Sequence, residues 1–78
     1  MPTVFVINGF RFFFYSNENN EPVHVHVEKA EAAAKFWLSP VILENNYGFN
    51  SGELKQIEVI IDKNLSTLIK KWNEYFNK

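Results

Sequence analysis

The sequence contains no cysteine, only three glycines and only three prolines among its 78 residues. Without cysteine there is no disulfide framework, no thiolate zinc site and no cysteine nucleophile. The glycines stand in three different contexts and form no phosphate-binding loop, and no serine has the setting of a hydrolase nucleophile elbow. The sequence therefore gives no support to P-loop chemistry or to a serine hydrolase.

Excess charge of one sign and long hydrophobic runs are also missing. The formal net charge is −1, and neither half of the chain has the basic excess of a protein that binds phosphates, so we expect no tight non-specific binding to nucleic acid. The longest apolar stretches, residues 4–7 and 12–15, are far shorter than a signal peptide or a membrane-spanning helix. We therefore expect a cytoplasmic protein that does not associate with membranes.

What the chain does have is a globular composition rich in rings. Hydrophobic residues make up 46% and aromatic residues 17% of the sequence, which is incompatible with disorder along the whole chain. A chain of this length has room for one domain, residues 1–78. Its stability must come from packing, either within the chain alone or also across a subunit interface.

The first fifteen residues predict a β-hairpin. Residues 3–7 and 10–15 flank Asn8-Gly9, a pair that favours the type I′ turn between antiparallel strands. Because side chains alternate across a strand, the second strand has two faces, both largely apolar. One face carries Phe10, Phe12 and Phe14, and the other carries Arg11, Phe13 and Tyr15. A helix or another subunit is therefore expected to cover the second face.

Alternating segments continue to residue 44. Residues 23–28 and 32–38 predict two further strands, residues 41–44 predict a short edge strand, and residues 45–50 predict a loop. Short connections between successive strands favour antiparallel neighbours. The fold class predicted for residues 3–44 is thus α+β, with an antiparallel meander sheet of four to five strands.

The C-terminal third, residues 51–77, is predicted to be helical. From Ser51 onward apolar residues recur with a period of about 3.6, and Ser51 is the predicted N-cap. One helix over this length would be about 39 Å long, which exceeds the length of strands of five or six residues. We therefore favour a helix pair broken near Asn64 over a single continuous helix, packed on one face of the sheet.

The strand segment His24-Val25-His26-Val27-Glu28 is the strongest candidate site. Its spacing of two places both imidazoles and the carboxylate in one row, about 6.5 to 7 Å apart. Nitrogen and oxygen ligands of this kind suit a divalent metal such as zinc or nickel. Alternatively, the row is a polar strand face whose histidines bond water or neighbouring side chains. Arg11, the single arginine, is expected to bind an anion beside the histidines or to pair with Glu28 or Glu44.

A set of motifs spans nearly the whole chain: Met1-Pro2-Thr3, residues 9–18, 22–28 and 34–38, Gly48-Phe49, Glu53-Leu54 and Trp72. In combination they resemble a small bacterial family, domain of unknown function 4160. Where many family members carry two prolines before the His-x-His strand, this chain has Glu21-Pro22. The resemblance implies a frequent association with a second small gene, in arrangements similar to toxin–antitoxin modules. It marks His24 and His26 as a shared signature without assigning them a ligand.

Three classes of function follow. The first is a protein-binding component of a two-gene, toxin–antitoxin-like module, acting as a homodimer or in complex with the neighbouring gene's product. The second is a metal-dependent hydrolase or nuclease that uses His24, His26 and Glu28, so whether the protein is an enzyme stays open. The third is a sequence-specific DNA-binding regulator. This class is the least favoured, because the sequence shows neither a helix-turn-helix signature nor a basic recognition face.

Overall fold

The fold consists of five strands followed by two helices. The computed structural model describes residues 3–15 and 20–76. The elements are β1 (Thr3–Ile7), β2 (Phe10–Phe13), β3 (His24–Lys29), β4 (Ala32–Leu38), β5 (Val41–Tyr47), α1 (Ser51–Lys63) and α2 (Leu65–Tyr75). This architecture confirms the predicted α+β class with a helix pair at the C-terminus.

All five strands form one antiparallel sheet in the order β1-β2-β3-β4-β5. Each strand pairs with its neighbour in the chain, as short connections favour. The β1–β2 turn is made by Asn8 and Gly9, whose φ angles are 54° and 82°. Both values lie in the left-handed region that a type I′ turn requires, which explains why this dipeptide closes the hairpin.

Four strand ends differ from the sequence prediction, two of them in β3, which runs from His24 to Lys29 rather than over residues 23–28. β2 ends at Phe13 rather than Tyr15, and β5 continues to Tyr47 where a loop was expected from residue 45. Residues 45–47 stay in the sheet because they pair with Lys35, Ala34 and Ala33 of β4. Asparagine has a low intrinsic preference for strands, but pairing with a long neighbouring strand outweighs it.

The first helix begins with a capping box that the sequence analysis assigned one residue too late. Asn50, not Ser51, is the N-cap: its side chain accepts a hydrogen bond from the Glu53 amide, and the Glu53 side chain accepts one from the Asn50 amide. This reciprocal pair satisfies two amides that the helix start leaves without partners.

The predicted break near Asn64 is confirmed, since α1 ends at Lys63 and α2 begins at Leu65. The Asn64 side chain donates to the Ile60 carbonyl of α1 and makes no cap for α2. Within the described residues, neither helix has the length and apolar character needed to cross a membrane.

The core lies between one face of the sheet and the two helices. Phe12 and Val27 form its centre on the sheet, both fully buried, and Ile57, Ile61 and Leu68 meet them from the helices. Alternation along β2 and β3 directs Phe10, Phe12, Val25 and Val27 to this side, as predicted. The other side of the sheet is consequently left with the polar and aromatic residues of the same strands.

Candidate functional site

The side of the sheet opposite the core is called the open face here. Residues directly opposed in antiparallel strands point to the same side, so the pairing register defines its members. They are Thr3, Val6, Arg11, Phe13, His24, His26, Glu28, Ala33, Lys35, Trp37, Ile42, Asn45 and Tyr47. Tyr15, just after β2, contacts the rings of Phe13 and His26 and belongs to the same surface. By register all four candidate residues of the sequence analysis belong to this face, but the His24 ring, at the end of β3, is covered by Trp72 of α2.

Arg11 is paired with Glu28, one of its two predicted partners. Its Nη1 lies 2.5 Å from Glu28 Oε1, its Nε donates to the Thr3 hydroxyl at 2.9 Å, and its guanidinium carbon lies 4.3 Å from the centre of the Phe13 ring. These contacts hold the guanidinium flat on the sheet. Because both partners are partly exposed, the pair contributes about 1 kcal/mol or less to stability. Its main effect is to neutralise both charges on the open face.

A second ion pair lies on the same face. Lys35 Nζ is 2.6 Å from Glu21 Oε1 and 4.6 Å from the centre of the Trp37 ring. The Trp37 indole N–H donates to Glu44 Oε2 at 2.6 Å. Glu44 is thus engaged by Trp37 and not by Arg11. The two cations of the open face, Arg11 and Lys35, each have a carboxylate partner.

His24 is fully buried at the end of β3. Its Nδ1 lies 2.8 Å from the Pro22 carbonyl oxygen. Because a carbonyl oxygen can only accept, the hydrogen is on Nδ1, and the Nδ1–H group donates the hydrogen bond. The ring packs between Trp37, at 5.6 Å between ring centres, and Trp72 of α2, at 4.8 Å. The second helix therefore seals His24 against solvent.

His26 lies in a cluster of aromatic rings and is only partly buried. Its ring stacks on Phe13 with centres 5.6 Å apart and meets the edge of Tyr15 at 4.5 Å. The His24 ring is 5.1 Å away. The two histidines are thus adjacent but differ in character, because one is sealed inside the fold and the other lies at the surface.

The structure brings together part of the predicted metal set. His24 and His26 are neighbours, whereas Glu28 is held by Arg11. Across residues 3–15 and 20–76, no group of three histidine, aspartate or glutamate side chains is placed so that it could hold a metal ion. A site made from His24, His26 and Glu28 would need both a turn of the sealed imidazole and the release of Glu28. Metal binding at these residues stays a prediction.

That hypothesis can be tested by titration. If the His24 and His26 imidazoles are ligands, zinc or nickel binds saturably near neutral pH. Arg11→Gln releases Glu28 and is expected to tighten the binding measured by calorimetry. The double variant His24→Ala with His26→Ala should abolish it, while Glu44→Ala serves as the matched control. Unchanged binding in the double variant, or none in the parent, would contradict the hypothesis.

Three contributors to this surface were missed in the sequence analysis: Glu21, Lys35 and the Trp37–Glu44 contact. Glu21 and Lys35 are 14 residues apart, and only the β3–β4 register brings them together. A signal was present in the alternation of β4, which places Lys35 and Trp37 on the side opposite Phe36. On the basis of this alternation, the predicted site would also have included Lys35 and Trp37 of β4.

Comparison with known proteins yielded one match. The profile of a family described as a domain of unknown function, DUF4160, matches residues 9–73. No curated protein and no solved structure matched the chain. The matched region includes β2 to β5, both helices up to Asn73, and hence most of the open face. The chain therefore belongs to the DUF4160 family.

Proposed function

We propose that the protein is a protein-binding component of a two-gene, toxin–antitoxin-like module, and that it binds the neighbouring gene's product in the cytoplasm through the open face. One observation carries the proposal. Val6, Tyr15, Ile42 and Tyr47, all on this face, are 60%, 40%, 52% and 68% exposed. Large apolar side chains gathered on one face, with paired charges among them, are typical of interaction surfaces.

The size of the open face supports the same proposal. Five strands about 4.8 Å apart and about 17 Å long present a flat patch of roughly 24 by 17 Å, or about 400 Å². The largest apolar patches on monomeric proteins cover roughly 300 to 600 Å² and often bind a partner. The open face, which also carries two ion pairs, is thus comparable in extent to such patches.

The charges of the open face favour a protein partner over nucleic acid. Arg11 and Lys35 are each held by a carboxylate, Glu28 and Glu21. Paired cations offer little to a phosphate backbone, whose binding depends on releasing counterions to unpaired lysine and arginine. Paired charges also remain satisfied when an apolar partner surface displaces water from the rings around them.

The edge strand β5 enlarges this surface. It carries Ile42, Leu43 and Tyr47, all exposed, along the outer edge of the sheet. Exposed apolar edge strands are places where a further strand can add. A second copy of the chain has the same edge, so a homodimer through β5 and the open face is the form that we expect in the absence of the partner.

The proposal is tested by co-expressing the protein with the neighbouring gene's product and measuring the mass of the purified species by light scattering. We expect a stable complex for the parent chain and a mass of about twice 9.2 kDa when the chain is alone. The double variant Ile42→Lys with Tyr47→Lys should lose both species, because lysines at these positions would have to be buried unpaired.

A matched control adds the same side chain on the other side of the molecule. Thr67 is exposed on α2, and Thr67→Lys should retain both the complex and the dimer. The proposal would be refuted if Thr67→Lys disrupted binding as strongly as the β5 variant, or if the β5 variant still formed the complex. Circular dichroism verifies that each variant remains folded.

A further inference from the structure

A second surface, unrelated to the open face, lies on the helical side. It is a groove of about 450 Å³ between the β1–β2 turn and one flank of α1. Ile7 and Asn8 form one wall at the end of β1. The helix contributes the remaining lining residues, Gly52, Lys55, Gln56, Val59, Ile60, Lys63 and Asn64. This part of the chain takes no role in the function proposed above.

The helical wall of the groove has a regular pattern. Lys55, Val59 and Lys63 follow one another at intervals of four residues, so they form a single stripe along α1. Val59, between the two lysines, is 43% exposed. Ile7 and Ile60, beside it, complete an apolar strip between two ammonium groups.

The charge of the groove is of one sign. Both charged residues that line it are lysines, and no aspartate or glutamate is among its lining residues. Neither lysine takes part in an ion pair among the described residues. Asp62 is not among the lining residues; it points about 100° away from Lys63 and within about 20° of Lys55, one flank over from the groove. The groove is therefore complementary to a ligand with two negative groups and an apolar group between them.

The distance between Lys55 and Lys63 matches the side-chain spacing of a ligand with an extended backbone. Eight residues of helix separate Lys55 from Lys63, which corresponds to about 12 Å along the axis. In an extended chain, side chains at positions i and i+4 lie on one side and about 13 Å apart, with the side chain at i+2 between them.

We propose that this groove binds an extended acidic segment of a partner protein, with the pattern acidic-x-apolar-x-acidic. The two carboxylates pair with Lys55 and Lys63, and the central apolar side chain covers Val59 and Ile7. A segment that lies parallel to α1 in this groove leaves the open face accessible. The groove is thus a peptide-binding site separate from the sheet surface.

The test uses a fluorescein-labelled peptide, Gly-Asp-Ser-Leu-Ser-Asp-Gly, and measures its binding by fluorescence anisotropy. We expect saturable binding that weakens with added salt. Affinity should fall about tenfold or more when Lys55→Glu and Lys63→Glu are combined, since two attractions become repulsions. The peptide with serine in place of leucine should bind more weakly, and the peptide with lysines in place of the aspartates should not bind.

The control, Lys70→Glu combined with Lys71→Glu, reverses the charge of two exposed lysines outside the groove. It should leave the affinity for the peptide within about twofold of the parent value. In the parent chain, NMR amide shifts on peptide addition should map to Ile7, Asn8 and Val59, which tests the site even if a charge variant fails to fold. The proposal is overturned by no binding at millimolar peptide, by equal losses in the two double variants, or by shifts that map to the open face.

Discussion

Phe12→Ala is expected to remove a large part of the free energy of unfolding. The Phe12 side chain is fully buried at the centre of the sheet, with its ring 5.1 Å from that of Phe5 and with Val27 opposite it on β3. Truncating a buried phenylalanine costs about 3 to 5 kcal/mol, because apolar contacts are lost and a cavity remains. A chain of 78 residues has roughly 4 to 12 kcal/mol in total.

Urea denaturation followed by circular dichroism measures this loss. Phe12→Leu, which keeps most of the buried volume, is the control and should cost roughly 1 to 2 kcal/mol. Val6→Ala on the open face, where the side chain is exposed, should change stability by about 0.5 kcal/mol or less. A loss of under 1 kcal/mol for Phe12→Ala would show that the core does not lie on this side of the sheet.

The second large effect is expected for Trp72→Ala. The indole packs against Phe14, His24 and Phe76, with ring centres 5.3, 4.8 and 4.2 Å away. It therefore joins α2 to the end of the sheet and covers His24. We expect a loss of about 3 to 5 kcal/mol in the free energy of unfolding, together with exposure of the His24 ring.

Chemical modification distinguishes this local opening from general unfolding. Diethylpyrocarbonate should spare His24 in the parent chain and modify it in Trp72→Ala, as read by mass spectrometry under conditions where circular dichroism shows an intact fold. Tyr75→Ala removes an exposed ring from the same helix and should leave His24 protected. If the Trp72 variant is too unstable, Trp72→Leu provides a milder test. An unreactive His24 in both Trp72 variants would contradict the sealing role of α2.

Local patterns in the sequence were sufficient to predict most of the fold. Asn8-Gly9 predicted the first hairpin because its positive φ angles suit one turn type. The change from a period of two to one of 3.6 after residue 50 predicted where the helices begin. The ends of β2 and β5 could not be predicted in the same way, because Tyr47 is in the sheet only through its pairing with Ala33.

The sequence predicted which residues form the candidate site but not which of them contact one another. Alternation placed His24, His26 and Glu28 in one row on β3, and the register adds Arg11 to the same side of the sheet, although the His24 ring is covered by α2. Alternation along one strand carries no information on contacts between distant segments. Burial of His24 under Trp72 depends on how α2 crosses the end of the sheet, a tertiary arrangement that no short pattern encodes.

The same distinction explains the two readings of the histidine row. Spacing alone is compatible with a set of metal ligands and with a satisfied polar strand face. The structure supplies the partners that spacing cannot identify: Glu28 pairs with Arg11, and His24 donates to the Pro22 carbonyl. These partners give each group a structural role, so the surrounding apolar residues become the main feature of the open face.

The central claim, that the open face binds the neighbouring gene's product, is tested most directly by NMR cross-saturation in the complex. With the partner irradiated and this chain isotope-labelled, we predict the strongest signal losses at Val6, Ile42 and Tyr47. Losses concentrated on the exposed helix residues Val59 and Thr67, with the open face unaffected, would contradict the claim.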